Sequence, residues 1–280
     1  MKVAVTGATG FIGKHVLSEL AKYPVEIVAI SRQASVDLTP SQRMKVIRFD
    51  LENASPDSIK QIGNPDVLIH LAWGGLPNYS SMHHFERELP MHYFFLKTMI
   101  KAGLKSLFVA GTCFEYGMQS GPLSESMIPR PNNSYGFAKD TLRRQLEYLK
   151  THMPFSLTWG RLFYLYGHGQ SDTSLLPQLR RAVQRGDSIF HMSSGEQLRD
   201  YLSVTDAARD IVSLALQSKD IGIVNICSGK PVSVRKQVEN WIAENAWKIK
   251  LDLGYYPYPD YEPMAFWGDR RKIDSCMEPL

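Results

Sequence analysis

Eight residues near the start of the chain, Thr6-Gly7-Ala8-Thr9-Gly10-Phe11-Ile12-Gly13, restrict the fold more than any other stretch. They follow Lys2-Val3-Ala4-Val5, an apolar run that reads as a first β-strand, and lead into Phe11–Leu20, which has the apolar spacing of a helix. Glycines at 7, 10 and 13 suit a tight strand-to-helix turn. Without Cβ atoms its backbone N–H groups can approach a pyrophosphate, and the helix N-terminus adds partial positive charge. Turns also use glycine for steric reasons alone. The strand before this one and the helix after it favour dinucleotide binding.

The same alternation continues. Val25–Ile30, Val46–Phe49, Asp66–His70, Ser106–Ala110 and Ser156–Leu162 read as strands, with helical patterns over Phe85–Lys101 and Gly136–Thr151. This order argues for an α/β fold, a doubly wound parallel Rossmann sheet with helices on both faces. After about residue 167 the pattern loosens. Ser174–Arg185, Ala207–Gln217 and Val234–Ala246 read as helices, and Gly254–Pro263 as an ordered loop rich in Pro and Tyr. The expected division is a dinucleotide-binding domain over 1–167 and a smaller, mixed C-terminal substrate lobe over 168–280. Elements near 199–227 are expected to return to the first domain.

Composition narrows the partners. The net charge of +4 is spread along the 280 residues without a Lys/Arg run, so nucleic acid is not implied. Cys113, Cys227 and Cys276 are far apart and form no CxxC pair, which argues against a metal site or a disulfide framework and for a reducing compartment. The N-terminus is already a strand, and no apolar stretch approaches membrane-spanning length. The expectation is a cytoplasmic protein with no signal peptide and no membrane partner.

Two further places carry chemistry. Dinucleotide folds that prefer NAD usually place an acid near the end of the second strand, but here the chain reads Ile30-Ser31-Arg32-Gln33. Arg32 can pair with a ribose 2′-phosphate and Ser31 can donate to it, so NADP is favoured over NAD. Asp50, at the end of the third strand with Leu51 beside it, is a candidate for the adenine amino group and equally for a turn cap. Tyr135-Gly136-Phe137-Ala138-Lys139 sets Tyr and Lys one helical turn apart on one face. Tyr135 can then exchange a proton with a carbonyl oxygen, provided that a neighbouring ammonium lowers its pKa from about 10. Thr112, at the end of the fifth strand, can hydrogen-bond the same oxygen, where open α/β sheets bind ligands.

With these motifs in order, the chain resembles the extended short-chain dehydrogenase/reductase family, in its nucleotide-sugar branch. The resemblance also rests on His70-Leu71-Ala72, Gly111-Thr112-Cys113-Phe114-Glu115-Tyr116-Gly117, Arg161–Gly167, Gly195–Tyr201, Asn225–Gly229 and Trp267-Gly268-Asp269. It implies a catalytic triad of Thr112, Tyr135 and Lys139, with Lys139 also on the nicotinamide ribose. Gly7, Gly10, Phe11 and Ile12 would face the pyrophosphate, and Leu71, Ala72 and Trp73 would line the cofactor cleft. Arg199 matches an arginine that often grips the sugar-nucleotide diphosphate. Cys113 and Tyr164 would border the substrate, although Tyr164 stands where the family often has Asn. Family dehydratases carry Asp-Glu directly after the catalytic Thr; here Cys113 and Phe114 occupy those places and cannot eliminate water. The resemblance therefore implies an NADPH-dependent reductase of a nucleotide-diphosphate 4-keto-6-deoxyhexose. An epimerase using tightly bound NAD is the alternative, and an NADP-sensing regulatory protein a remote one. It also implies a homodimer through the helices at 85–101 and 136–151. His83 and His84 read as a surface loop, and Met91–Phe95 as core packing.

Overall fold

The computed structural model describes residues 1–32, 43–258 and 262–277. Residues 33–42 lie outside the described residues, as do 259–261, within the segment expected as a Pro/Tyr-rich loop, and 278–280. The strands are β1 (Lys2–Thr6), β2 (Glu26–Ser31), β3 (Met44–Arg48), β4 (Val67–His70), β5 (Ser106–Thr112), β6 (Gly121–Leu123) and β7 (Ser156–Leu162). They continue with β8 (Tyr164–Tyr166), β9 (Ile189–Met192), β10 (Leu198–Ser203), β11 (Gly222–Ile226), β12 (Pro231–Ser233), β13 (Lys250–Leu253) and β14 (Phe266–Gly268). The helices are α1 (Phe11–Leu20), α2 (Leu89–Lys101), α3 (Ser134–Lys150), α4 (Leu175–Arg185), α5 (Val204–Leu216), α6 (Val234–Glu244) and α7 (Arg271–Cys276).

Seven strands form one parallel sheet in the order β11-β7-β5-β4-β1-β2-β3. Its central strands are apolar on both faces because helices cover both: Val3, Ala4, Val5, Val67, Leu68 and Ile69 are wholly buried. Phe95 and Leu96 of α2 and Leu142 and Leu146 of α3 fill one side, while Val16 and Leu20 of α1 pack with Ile211 and Val212 of α5 on the other. Each such side chain contributes about 1.5–3 kcal/mol on burial. The chain reverses its direction of travel across the sheet between β1 and β4, which opens a crevice at their C-terminal ends.

Smaller sheets complete the second half: β12-β10-β8, β13-β9 and β14-β6. Around Leu179, Phe190, Val238 and Trp241 the first two enclose a separate core with α4 and α6, while Leu123 of β6 and Phe266 of β14 pack in another with Tyr116 and Phe163. In the last of these sheets Phe266–Gly268 lies parallel to Gly121–Leu123, tying the end of the chain to the turn after β5.

Two elements differ from the sequence reading. Strand β5 runs on through Thr112, which is the strand's last residue. The helix expected from Phe85 begins as regular α-helix only at Leu89, after a wider π-type turn over His84–Glu88. Pro90 is the reason, since it has no N–H to continue the ordinary ladder. Within that turn His84 is buried rather than at the surface, while His83 stays partly exposed.

Candidate functional site

The glycine turn is built as a cradle. Gly7 has φ +67°, and a Cβ there would lie 2.8 Å from the Ala72 nitrogen; one on Gly13 would lie 2.1 Å from the Gly7 carbonyl oxygen. The first glycine lets the loop pass the end of β4, and the third lets α1 sit directly on β1. Gly10 caps α1 without any side-chain hydrogen bond, and the first turn carries no acid. The N–H groups from Phe11 and Ile12 onward are thus left for an anion.

From this cradle a cleft of about 430 Å³ runs along the sheet, lined by Gly7, Gly10, Ser31, Arg32, Asp50, Leu51, Leu71, Ala72 and Trp73. These are the expected cofactor residues, brought together from four strand ends. Phe11 and Ile12 stand at the head of α1, beside this lining. Arg32 is exposed at the rim, whereas Ser31 is buried. The Asp50 carboxylate accepts from the Glu52 N–H at 3.2 Å and caps the short turn Leu51–Asn53, so the capping role is realised. Glu52 also pairs with Arg87, and the two line the same end of the cleft. The cradle, the uncapped helix and the elongated cleft fit a dinucleotide.

Behind Trp73, which lines the cleft, stand Thr112, Tyr135 and Lys139, all buried and none of them in the lining itself. Asn133 caps α3 by accepting from the Gly136 N–H at 2.8 Å, which presents Tyr135 on the first turn. The Tyr135 N–H donates to the Tyr79 carbonyl at 2.9 Å, fixing the helix start against the segment after β4. The Tyr135 phenol is hydrogen-bonded to the Thr112 side chain. One turn on, Lys139 Nζ lies 5.9 Å from the Tyr135 ring centre, 4.0 Å over the Trp73 indole and 2.9 Å from the Ala110 carbonyl oxygen. Burial brings the Lys139 ammonium down to about 7, against the opposing pull of Glu115 and Glu88. Burial also pushes the Tyr135 phenol up, and the Thr112 hydrogen bond only partly offsets it. The expectation was of a lowered phenol; here desolvation is the largest influence and raises it.

Glu115, which the sequence reading passed over, organises this loop. It is wholly buried and accepts from the Thr112 N–H at 2.9 Å, Trp159 Nε1 at 2.9 Å and Arg161 Nε at 2.7 Å. Thr112 and Glu115 form a capping box around the turn Cys113–Tyr116. The Thr-x-x-Glu spacing was the available signal.

The substrate side departs from expectation in one respect. Arg199 is buried and paired: Nη2 donates to Glu262 at 2.8 Å, and Nη1 donates to the Leu198 carbonyl at 2.9 Å. Its guanidinium lies 4.6 Å from the Phe266 ring centre. Tyr164 donates to the other Glu262 oxygen at 2.5 Å. Arg199 is thus ion-paired with Glu262 and not with its neighbour Asp200, whose carboxylate accepts from Ser228, Gly229 and Gly268 N–H groups. Cys113 is buried beside this cluster, and its thiol is pushed up first by burial and then by Glu262. No signal local in sequence linked Arg199 to Glu262.

No group of three or more His, Cys, Asp or Glu side chains placed to hold a metal ion occurs among the described residues. No helix among them is long and apolar enough to cross a membrane.

Comparison with known proteins places this geometry. Residues 3–227 match the NAD dependent epimerase/dehydratase family. A dTDP-6-deoxy-L-talose 4-dehydrogenase (NAD(+)) from Aggregatibacter actinomycetemcomitans is 32% identical, over 96% of this chain and 99% of that protein. A dTDP-4-dehydro-6-deoxyglucose reductase from Escherichia coli is 25% identical over 85% of this chain and 79% of its own length. Among solved structures, MoeE5 in complex with UDP-glucuronic acid and NAD superposes with a TM-score of 0.83 at 27% identity, covering 99% of this chain and 92% of that one.

Proposed function

The chain belongs to the NAD dependent epimerase/dehydratase family, and on that premise we propose that it is an NADPH-dependent reductase of the C4 keto group of a nucleotide-diphosphate 4-keto-6-deoxyhexose. The observation that carries this reading is the buried Thr112–Tyr135–Lys139 set packed behind Trp73 of the cleft, with a thiol and a phenyl ring where elimination of water would need acids. Two relatives support it by their names. One is a reductase of a 4-dehydro-6-deoxy sugar nucleotide, and 4-dehydrogenation by the other, run backwards, is reduction of a 4-keto group.

A nicotinamide held in the cleft would supply the hydride. Thr112 orients the keto oxygen, and Tyr135, hydrogen-bonded to Thr112, gives that oxygen its proton. The raised phenol holds its proton until negative charge develops on the substrate oxygen. Lys139, kept dry by Trp73 and tethered to the Ala110 carbonyl, stabilises the phenolate left behind. Arg32 and Ser31 take the 2′-phosphate, Asp50 the adenine amino group, and the cradle from Gly7 to Ile12 the pyrophosphate. The substrate's diphosphate displaces Glu262 from Arg199, with Cys113 and Tyr164 bordering the sugar. Phe94 of α2 and Phe137 and Tyr148 of α3 stand exposed, which suits a homodimer through those two helices.

NADPH oxidation across dTDP-, GDP-, UDP- and CDP-linked 4-keto-6-deoxy sugars tests the reaction. Net consumption with at least one of them is expected, faster with NADPH than with NADH. Tightly retained NAD with no net consumption would instead point to the epimerase, a chemistry that several structural neighbours carry in their names.

A further inference from the structure

Behind the cleft wall runs a buried chain of side chains that the reaction above does not use. The Glu88 carboxylate accepts from His92 Nε2 at 3.1 Å, from the Gly74 N–H at 2.6 Å and from His83 Nε2 at 3.0 Å. His92 Nδ1 meets His70 Nε2 at 2.8 Å, and His70 Nδ1 meets the Thr6 hydroxyl at 2.8 Å. Hydrogen-bond accounting orders the protons. An ionised Glu88 requires N–H on His92 Nε2, which leaves His92 Nδ1 to accept from His70 Nε2–H and His70 Nδ1 to accept from the Thr6 O–H. Both imidazoles are neutral, since burial pulls each below its ordinary range.

The two ends of this chain grip the backbone on either side of one residue. Thr6 Oγ1 accepts the Ala72 N–H at 3.4 Å, and Glu88 accepts the Gly74 N–H. Between them stands Trp73. Its indole stacks on His92, with ring centres 4.6 Å apart and planes 9° from parallel. Its Nε1–H donates to His84 Nδ1 at 3.1 Å, and His84 Nε2–H donates to the Asn78 carbonyl at 2.9 Å.

We infer that Trp73 is a positioning residue for Lys139: the Thr6–His70–His92–Glu88 chain holds its indole in one orientation, and the indole shields the lysine ammonium from water. This rests on the reading of Lys139 as the partner of Tyr135. The groups facing Lys139 are Glu115 after β5, Glu88 before α2, His70 of β4, His92 of α2 and Tyr135 on its own helix. Removing the indole admits water and raises the lysine pKa. The lost ring attraction acts the other way but is the smaller effect, because burial is the largest influence on Lys139.

The test uses full-length protein carrying 13Cε-labelled lysine and 15N-labelled tryptophan, with signals assigned through K139R and W73F. In W73A the Lys139 pKa is expected to rise by about 1 or more, while W73F, which keeps a ring, stays within about 0.5 of the parent. W73L replaces W73A should the latter not fold. In E88A the oxygen that accepts from both His92 Nε2 and the Gly74 N–H is gone, so the Trp73 indole N–H signal is expected to broaden or split. The other indole signals, unmoved, show that the fold is kept. An unchanged Lys139 pKa in both W73A and W73L, or a sharp and unshifted Trp73 signal in E88A, overturns the inference. Neither readout needs turnover, so a chain that reduces no 4-keto sugar would refute the assigned reaction and leave this test standing.

Discussion

The two walls of the cleft treat buried charge in opposite ways. On the cofactor side, Glu88 is satisfied by a backbone N–H and two imidazoles, and it keeps its charge: burial opposes ionisation, yet His92, Gly74 and His83 bring the carboxyl down to about 2. On the substrate side, Arg199 spends its charge on Glu262. A carboxylate held by fixed donors need not rearrange when a ligand arrives. An arginine already paired must break that pair before it can hold a diphosphate. On the proposed reading the cofactor wall is prebuilt, while the Arg199 wall is closed on itself and would open only to an anion that competes with a carboxylate.

The largest expected effect lies where the walls meet. Y135F should lower kcat by roughly 10²–10⁴, the usual worth of a positioned proton donor, with NADPH affinity within about threefold of the parent. Single-turnover rates and NADPH fluorescence titration measure both, and an unimpaired Y135F enzyme would remove the proton-transfer role.

The second test addresses the prebuilt wall through pH. Because the Glu88 pKa is lowered in the folded chain, its contribution is present above about 4.5 and lost as pH falls towards about 2. His70 and His92, also lowered, contribute stability above about 6.5 that is lost as pH falls below it. Urea unfolding from pH 7 down to pH 3 should show falling stability, and E88Q should flatten the part below pH 4.5, worth at most roughly 3 kcal/mol. Parallel curves for E88Q and the parent would mean that Glu88 is not held as described.

The third test addresses the closed wall. R199K keeps the charge but loses the planar fork and should raise KM for the sugar nucleotide about 10- to 100-fold. E262Q should lower that KM severalfold, because the competing carboxylate is gone. A higher KM in E262Q would make the pair purely structural and erase the contrast between the walls. Smallest of all, R32S should reduce the NADPH-over-NADH ratio of kcat/KM by about tenfold and leave the NADH value alone, since one surface arginine–phosphate contact is worth little more than 1.4 kcal/mol.

What was legible in the sequence was local. The sheet showed itself because strands covered on both faces are unbroken apolar runs such as Val67–Ile69, and the cradle because glycine alone tolerates the close approach at positions 7 and 13. Tyr135 and Lys139 share a helical face by spacing alone. The Glu88–His92 contact also has helical spacing, but its meaning depends on His70 from another strand, which no periodicity reveals. Arg199 and Glu262 meet only because β10 and the stretch before β14 run side by side, so chemistry read from Arg199 alone lacked its counter-ion. The π-type turn was hidden for a different reason: one proline shifted a ladder that the apolar pattern leaves unchanged.

The sheet order has a consequence for how the chain is made. Strand β11 pairs with β7, yet α4, β9, β10 and α5 are all synthesised between them. Until Gly222–Ile226 leaves the ribosome, the open edge of β7 offers unpaired N–H and C=O groups to any other extended chain nearby. The substrate wall comes later still, since Glu262 and the β14 strand that pairs with β6 lie close to the end. A nascent chain can therefore complete its dinucleotide cradle well before it has anywhere to put a sugar.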